Sequence, residues 1–242
     1  VEAGLRSFNR RMPEEINRVL TDHVSARLFA PTETAVRNLE SEGIKAGVVN
    51  VGDVMLDASL YYREKASSES RIIENLGLST GGYVLTTCHR AENTDDPERL
   101  GSILDALGEI AKSVPVVLPL HPRTRNAVMT FEMADKLEPL TVIDPVSFID
   151  MIALEAGASC IVTDSGGVQK EAYFFKIPCI TMRDETEWIE TLDAGWNRLV
   201  GADGPAIVSE FARARAPDDW PELYGAGDAG IKILRVLAQK NS

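Results

Sequence analysis

The sequence predicts an α/β fold in which parallel sheets are covered by helices. Three observations support this: strand-length apolar runs alternate with helical patterns, the connections between them are short, and the strand runs are apolar on both faces. The chain has 242 residues, of which 44% are hydrophobic and 26% are charged. This composition is typical of a globular protein with a sizeable core, and it argues against a disordered or fibrous chain.

Eight apolar runs have the length of strands. They lie at residues 27–31, 47–51, 83–87, 116–120, 140–143, 160–163, 178–182 and 198–200. Helices are predicted where apolar residues recur at spacings of three and four, most clearly over 97–112 and more weakly over 13–24, 34–41, 148–156, 168–175, 205–213 and 229–237. Residues 53–79 are polar and hold no strand run, so we expect a domain joint near 52–60 and then a helical approach to a second α/β domain.

Charge and hydropathy exclude several classes of partner. Lys and Arg number 25 against 37 Asp and Glu, a net charge of −12, which argues against non-specific nucleic-acid binding. Apolar runs such as 114–120 are far shorter than the roughly 20 residues of a membrane-spanning helix. We therefore expect neither a nucleic-acid nor a membrane partner. An anionic small ligand stays compatible with the charge, because helix N-termini and local cations can hold phosphates.

The cysteines and the start of the chain suggest where the protein works. Cys88, Cys160 and Cys179 are odd in number, lack CxxC spacing and stand in apolar runs, which predicts buried thiols in a reducing compartment. No signal peptide is visible, so we expect a cytoplasmic protein. The chain starts with Val1, and its first residues are typical of a strand end entering a loop, so we expect a piece of a longer protein.

Polar residues gather where the predicted strands of the second domain end. His89 follows strand 83–87, His121 follows strand 116–120, and Arg183 follows strand 178–182. Segment 164–171, DSGGVQKE, follows strand 160–163 and is typical of an anion site. In it Ser165 can cap a helix beginning near Val168, the two glycines allow close backbone approach, and Glu171 can accept hydrogen bonds from ribose. The alternative is a tight turn with a helix cap.

The histidines and cysteines allow more than one interpretation. His89 can serve as a general acid or a phosphate ligand, or it can be a hydrogen-bonded residue at a strand end, and His121 has the same ambiguity. His23 lies in a helical pattern and is interpreted as structural. Cys88 is a poor nucleophile partner for His89, because adjacent strand residues point to opposite faces. The histidines lack zinc-site spacing, so metal binding has little support.

Two further segments contain residues that could bind a ligand or transfer protons. The string GAGDAG at 225–230 matches G-x-G-x-x-G, but no strand precedes it, so we interpret it as a loop leading into the last helix. Near the start, Glu2, Glu14 and Glu15 bracket a basic loop; its arginines are Arg6, Arg10 and Arg11, with Arg18 one helical turn after Glu14. Carboxylates among arginines can transfer protons near an anionic substrate, whereas the alternative is a surface loop and a helix start.

Eight motifs resemble, in order, those of the non-hydrolysing UDP-N-acetylglucosamine 2-epimerases. They are VEAGLRSF at 1–8, PEEINR at 13–18, APTE at 30–33, CHRAEN at 88–93, LHPRT at 120–124, DSGGVQKEA at 164–172, MRDETEW at 182–188 and GWNRLVG at 195–201. The resemblance implies the GT-B architecture of two Rossmann-like domains with parallel sheets. It places the C-terminal part of the first domain at 1–55, the UDP-binding domain at 56–225, and a last helix returning to the first domain at 226–242.

The resemblance also implies an activity and a set of site residues. The family interconverts UDP-N-acetylglucosamine and UDP-N-acetylmannosamine by eliminating and re-adding UDP through a 2-acetamidoglucal. By motif position, Glu2, Glu14 and His89 are expected to be catalytic. The residues expected to bind the UDP-sugar substrate are Arg18, His121, Phe148, Ser165, Gly166, Gly167, Glu171 and Arg183. No metal or nicotinamide cofactor is expected, and the full-length form is expected to be a homodimer.

One departure from the family leaves alternatives open. Relatives begin well before VEAGLR, with a Gly-rich loop and a catalytic aspartate that this sequence does not contain. We therefore expect the first domain to be incomplete and this chain to show little turnover alone. The alternatives are a non-catalytic UDP-sugar-binding fragment, a hydrolysing epimerase, and a GT-B glycosyltransferase, against which the Glu2 and Glu14 motifs argue.

Overall fold

The computed structural model describes residues 1–10 and 12–239, so Arg11 of the predicted basic loop lies outside the described residues. Contacts divide the chain into two compact units, 1–61 with 221–242, and 62–220. The helices are α1 (Pro13–Val24), α2 (Glu33–Ser41), α3 (Val54–Glu69), α4 (Ile72–Asn75), α5 (Ala91–Thr94), α6 (Pro97–Ala111), α7 (Pro122–Thr130), α8 (Phe148–Gly157), α9 (Gly166–Phe174), α10 (Ile189–Asp193), α11 (Gly204–Arg213) and α12 (Ala229–Ala238). The strands are β1 (Leu28–Ala30), β2 (Val48–Asn50), β3 (Val84–Thr87), β4 (Val116–Pro119), β5 (Thr141–Ile143), β6 (Cys160–Thr163), β7 (Cys179–Thr181) and β8 (Asn197–Leu199).

The first unit is built around the parallel pair β1 and β2, in which Leu28 lies opposite Val48. Leu28 and Leu39 are buried together with Ala3, so the N-terminal segment packs on the strand and on α2. Within the segment 225–230, residues 225–228 form a loop that leads into α12, as predicted, and Asp57 accepts hydrogen bonds from the backbone N–H groups of Ala229 (3.0 Å) and Gly230 (2.8 Å) at the helix start. These bonds satisfy donors that a helix N-terminus leaves open.

The second unit contains a six-stranded sheet with the order β5-β4-β3-β6-β7-β8, and every neighbouring pair is parallel. Alternate residues of its central strands enter different cores: Val84 and Val162 pack with α6 on one face, while Leu85 and Ile161 pack with α8 and α9 on the other. The chain runs from β3 to one edge and then returns to β6 and the other edge. The strand order therefore reverses between β3 and β6, and such a switch point is where open parallel sheets bind ligands.

Most predicted elements are confirmed within one or two residues, and two differences matter. The helix expected to begin near Val168 begins at Gly166, because Ser165 is its N-cap. Helix α7 was not predicted, since only Thr124, Ala127 and Val128 are buried along its nine residues and the apolar pattern is correspondingly weak. The three cysteines are free and buried, as predicted. Among the described residues, the helices are too short or too polar to cross a membrane.

Candidate functional site

Asp164, directly after β6, organises the switch point. Its buried carboxylate accepts hydrogen bonds from the backbone N–H groups of His89 (2.9 Å) and Arg90 (2.9 Å), and from Asn93 Nδ2 (3.2 Å). The loop after β3 is thereby fixed to the end of β6. This organising role of Asp164 was not predicted, although its position directly after a central strand was the available signal.

The N-terminus of α9 faces a space that is bordered by guanidinium groups. Ser165 Oγ accepts a hydrogen bond from Val168 N at 3.4 Å and so caps the helix, as predicted. A Cβ atom added to Gly166 would lie 3.5 Å from Trp188 Nε1, 3.8 Å from Arg183 Nη1 and 3.8 Å from Arg90 Nη2. Helix N–H groups and two guanidinium groups therefore converge beside a residue without a side chain, an arrangement suited to a phosphate. Gly167, the second residue of α9, extends the same glycine pair.

Arg183 is held rigidly just beyond β7. It is only 1% exposed, and Nη1 donates to Glu187 Oε2 at 3.0 Å while Nε lies 3.7 Å from Glu92 Oε1. Within the described part of the chain, Nε has no hydrogen-bond partner. A buried donor without a partner is costly, so an anionic ligand oxygen would stabilise this arrangement.

The two histidines of the predicted site come together. The His89 and His121 rings have centroids 5.3 Å apart, and His89 Nδ1 lies 3.6 Å from Asp164 Oδ1. Burial lowers the pKa of His89, with His121 and Arg90 acting in the same direction and Asp164 opposing them. His121 is exposed and its Nδ1 accepts a hydrogen bond from Arg123 N at 3.1 Å, which caps α7. His121 thus has a structural role, and its predicted substrate role stays a prediction.

Two predicted nucleotide contacts lie elsewhere on the second unit. Glu171 is in the second turn of α9 and is 8% exposed. Phe148 begins α8 after the cap Ser147 and is half exposed, with its ring edge-to-face against Tyr62 at a centroid distance of 5.0 Å. An exposed aromatic face is suited to stacking on a base, and the uracil role of Phe148 stays a prediction.

The predicted catalytic carboxylates lie in the first unit. Glu2 has a positive φ of 56°, an uncommon conformation for a residue other than glycine, and Glu14 is exposed in the first turn of α1. Strained backbone often marks functional positions. Arg18, one turn further along α1, has Nη1 3.6 Å from Glu15 Oε2.

Two residues of this region are structural. Glu15, only 3% exposed, accepts hydrogen bonds from Ser7 N (2.9 Å) and Phe8 N (3.0 Å) and so fixes the loop before α1. Arg6, one of the arginines of the predicted basic loop, is buried and paired with Asp22 and Glu42 at 2.7 Å each. Its charge is therefore used inside the first unit.

Neither thiol chemistry nor metal binding gains support from the geometry. Burial raises the pKa of Cys88 well above its ordinary value, and the negative charge of Asp164 adds to the effect. A thiol held in this way is a poor nucleophile. Among the residues that the structure describes, no group of three or more His, Cys, Asp or Glu side chains is arranged to hold a metal ion.

Comparisons with known proteins agree with this geometry. A family model described as UDP-N-acetylglucosamine 2-epimerase matches residues 1–238. The chain is 53% identical to the UDP-2,3-diacetamido-2,3-dideoxy-D-glucuronate 2-epimerase of Pseudomonas aeruginosa, covering 99% of this chain and 67% of that protein. The crystal structure of Methanocaldococcus jannaschii UDP-GlcNAc 2-epimerase in complex with UDP-GlcNAc and UDP is 42% identical with a TM-score of 0.89, covering 98% of this chain and 67% of that one.

A third similar protein is the UDP-GlcNAc 2-epimerase of Neisseria meningitidis bound to UDP-GlcNAc, with 30% identity and a TM-score of 0.88 over 99% of this chain and 69% of that one. These similarities confirm the predicted α/β class with parallel sheets and its GT-B type. The chain spans about two thirds of the length of the relatives that it matches. On the match over 1–238 and these identities, the chain belongs to the UDP-N-acetylglucosamine 2-epimerase family.

Proposed function

We propose that the chain epimerises a UDP-2-acetamido sugar at C2, with UDP-N-acetylglucosamine and UDP-N-acetylmannosamine as the interconverted pair. The observation that carries the proposal is the phosphate-suited space at the α9 N-terminus, bordered by Gly166 and by the guanidinium groups of Arg90 and Arg183. Family membership supports the reaction type, and a similar structure holds UDP-GlcNAc and UDP.

The proposed reaction is an elimination followed by an addition. A base removes the C2 proton, the C2–H electrons form the C1–C2 double bond, and the C1–O bond breaks with its electron pair leaving on UDP. The product is a 2-acetamidoglucal. UDP then attacks C1 again while C2 takes a proton on the opposite face. Two faces require two proton-transfer groups, and we assign Glu2 and Glu14 to them.

The leaving group needs preorganised positive charge and hydrogen-bond donors. We assign the diphosphate to Ser165, Gly166, Gly167 and Arg183, together with Arg18 and His89, because negative charge develops on UDP as the C1–O bond breaks. His89, with its lowered pKa, is neutral at pH 7 before UDP arrives and can take up a proton as the charge develops. Glu171 is assigned to ribose, Phe148 to uracil, and His121 to the substrate more generally.

A second candidate substrate is UDP-2,3-diacetamido-2,3-dideoxy-D-glucuronate. The observation that favours it is the 53% identity to the Pseudomonas aeruginosa enzyme named for that substrate, against 42% for the Methanocaldococcus jannaschii enzyme. Both sugars carry a 2-acetamido group at the reacting carbon, so the same proton chemistry serves either. They differ at C3 and in the carboxylate of the glucuronate.

The test is incubation of the full-length protein with each UDP-sugar in D2O, followed by NMR of the anomeric region; this chain, expected to show little turnover, is assayed in parallel. We expect a new UDP-linked anomeric signal and deuterium at C2 of substrate and product. Release of a free sugar would indicate a hydrolysing epimerase, and transfer to an added acceptor sugar would indicate a glycosyltransferase. UDP binding in calorimetry without turnover in the full-length protein would overturn the proposed reaction, whereas the same result in this chain alone would indicate a non-catalytic UDP-sugar-binding fragment. Whichever substrate turns over faster in the full-length protein identifies the sugar.

A further inference from the structure

Helices α8 and α9 bury two carboxyl groups against each other. Glu155 near the end of α8 is 1% exposed and Glu171 of α9 is 8% exposed, and their carboxyl groups are close enough to share a hydrogen bond. Two carboxylates cannot share a hydrogen bond unless one of them carries a proton. Glu155 Oε2 is also buried and, among the described residues, has no hydrogen-bond partner. An unpartnered oxygen is far less costly on a neutral acid than on a buried carboxylate.

The surrounding charges identify Glu155 as the protonated member. Burial, then the negative charge of Glu171, raises the pKa of Glu155 well above its ordinary value. Burial also raises the pKa of Glu171, but the charge of Lys170 and the hydrogen bond with Glu155 oppose that rise. Lys170 is itself buried, with its ammonium 4.3 Å from the Trp188 ring centroid. The charge of Lys170 favours the ionised form of Glu171, so the proton shared by the pair resides on Glu155.

Other ionisable groups near the pair have partners of their own. Tyr83 faces Glu155 but donates its hydroxyl to Leu154 O at 2.6 Å. On α4, which packs against α8, the exposed Glu74 pairs with Arg71 at 3.2 Å. Asp150 of α8 accepts from Ser70 Oγ at 2.6 Å. None of these contacts supplies a charge that would favour ionisation of Glu155.

We propose that Glu155 is a positioning residue that, as a neutral carboxylic acid, donates a hydrogen bond to Glu171 and fixes that carboxylate for the ribose hydroxyls of bound UDP. The proposal rests on the assignment of Glu171 to ribose under the proposed function. It predicts a loss of UDP affinity as the pH rises, because ionised Glu155 no longer donates and instead repels Glu171.

Two variants of Glu155 and one control variant distinguish the effect of its hydrogen-bond donor from the effect of its side-chain volume. In Glu155→Gln an amide N–H replaces the acidic O–H, so the donor is kept and cannot titrate. In Glu155→Leu the volume is retained and the donor is removed. The matched control is Glu109→Gln on α6, where the exposed carboxylate pairs with Lys112 and has no part in the nucleotide site.

The experiment is calorimetric titration with UDP between about pH 6 and about pH 9, a range that lies above the ordinary pKa of a glutamate carboxyl group. We expect the UDP affinity of Glu155→Gln relative to wild type to rise about tenfold across the upper half of this range, and that of Glu109→Gln relative to wild type to stay constant. Using these ratios cancels the titration of His89 and of UDP. Glu155→Leu should bind about tenfold more weakly than wild type already at neutral pH. Infrared spectra of the wild type at neutral pH should show the C=O band of a protonated carboxyl group, and spectra of Glu155→Gln should lack this band.

The outcomes are separable. If Glu155→Gln follows the wild-type pH curve, or if the infrared band persists in it, the positioning role is overturned while the proposed function stands. If wild type and Glu109→Gln fail to bind UDP at any pH, the proposed function fails and the positioning role falls with it. Thermal melting checks that each variant folds, and the Gln variant keeps the test decisive should Glu155→Leu not fold.

Discussion

Substitutions at Gly166 can distinguish an effect on ligand binding from an effect on folding. An added Cβ would make only ordinary contacts of 3.5 Å or more, so Gly166→Ala should fold normally. The branched methyls of Gly166→Val would enter the space between Arg90, Arg183 and Trp188, where we place the diphosphate. We expect UDP affinity in calorimetry to fall by at least about tenfold for Val, with the melting temperature close to that of Ala. Wild-type affinity in the Val variant would move the phosphate site elsewhere.

Glu2 and Glu14 should be needed for turnover but not for UDP binding. In the full-length protein, Glu2→Gln and Glu14→Gln each preserve shape and remove the proton-transfer group. We expect the turnover number to fall by a factor of about 10² to 10⁴ and UDP affinity to stay within a few-fold. Turnover is measured by the NMR assay and affinity by calorimetry. Near-normal turnover in either variant would contradict its assignment.

His89 should couple UDP binding to proton uptake. Burial lowers its pKa in the free protein, whereas a diphosphate nearby favours the charged imidazolium and raises that pKa in the complex. UDP affinity attributable to His89 is therefore greatest at low pH and is lost as the pH rises through the pKa of the complex. The ratio of wild-type to His89→Asn affinity should rise as the pH falls from about 8 to about 5. A ratio independent of pH would contradict this prediction, and using the ratio cancels the titration of UDP itself.

At the scale of elements, the adjacent glutamates of α1 form a natural comparison. Glu15 is buried and accepts three hydrogen bonds from Ser7 and Phe8, whereas Glu14 is exposed. We expect Glu15→Ala to lower the free energy of unfolding by about 1 to 3 kcal/mol, because three hydrogen bonds to a buried acceptor are lost, and Glu14→Ala to lower it by no more than about 0.5 kcal/mol. Urea denaturation of both variants measures this, and equal effects would contradict the assigned roles.

Elements with a strong apolar pattern were predictable, and those that depend on polar contacts were not. Strands such as β6 and helices such as α6 bury continuous or regularly spaced apolar side chains, so periodicity locates them. Helix α7 has a polar surface and is capped by His121, and the start of α9 is set by Ser165, so neither is visible in apolar spacing. The candidate site follows the same rule: strand ends located His89, Ser165 and Arg183, while the organising role of Asp164 needed the contacts.

At the scale of the whole molecule, the predicted domain boundaries at 55/56 and 225/226 and the assigned roles of the site residues stay predictions. The sequence predicted a joint near 52–60, where the polar stretch 53–79 without a strand begins, but α3 runs through Val54–Glu69 without a break. The composition of a continuous helix does not show which of its residues belong to one unit and which belong to the other. The boundary is therefore a property of tertiary packing, which the linear pattern does not encode.

The three cysteines should be unreactive in the folded protein. All are buried, and burial raises the pKa of Cys160 to about 12 and that of Cys88 well above its ordinary value. We expect no reaction with a thiol-specific disulfide reagent under native conditions and reaction of three thiols after unfolding in guanidinium. Mixing with the reagent and following absorbance measures both, and a rapidly reacting thiol in the native protein would contradict this prediction.

Because its native thiols are buried and protonated, the natural chain would give little background reaction in site-directed labelling. A single cysteine introduced at an exposed position of either unit would be the one nucleophilic sulfur available to a maleimide dye or a nitroxide. No native cysteine would have to be removed first, so the packing around β6 and β7 would stay intact. Pairs of such labels, one on each unit, would report distances and their changes on adding UDP while all three native cysteines stay in place.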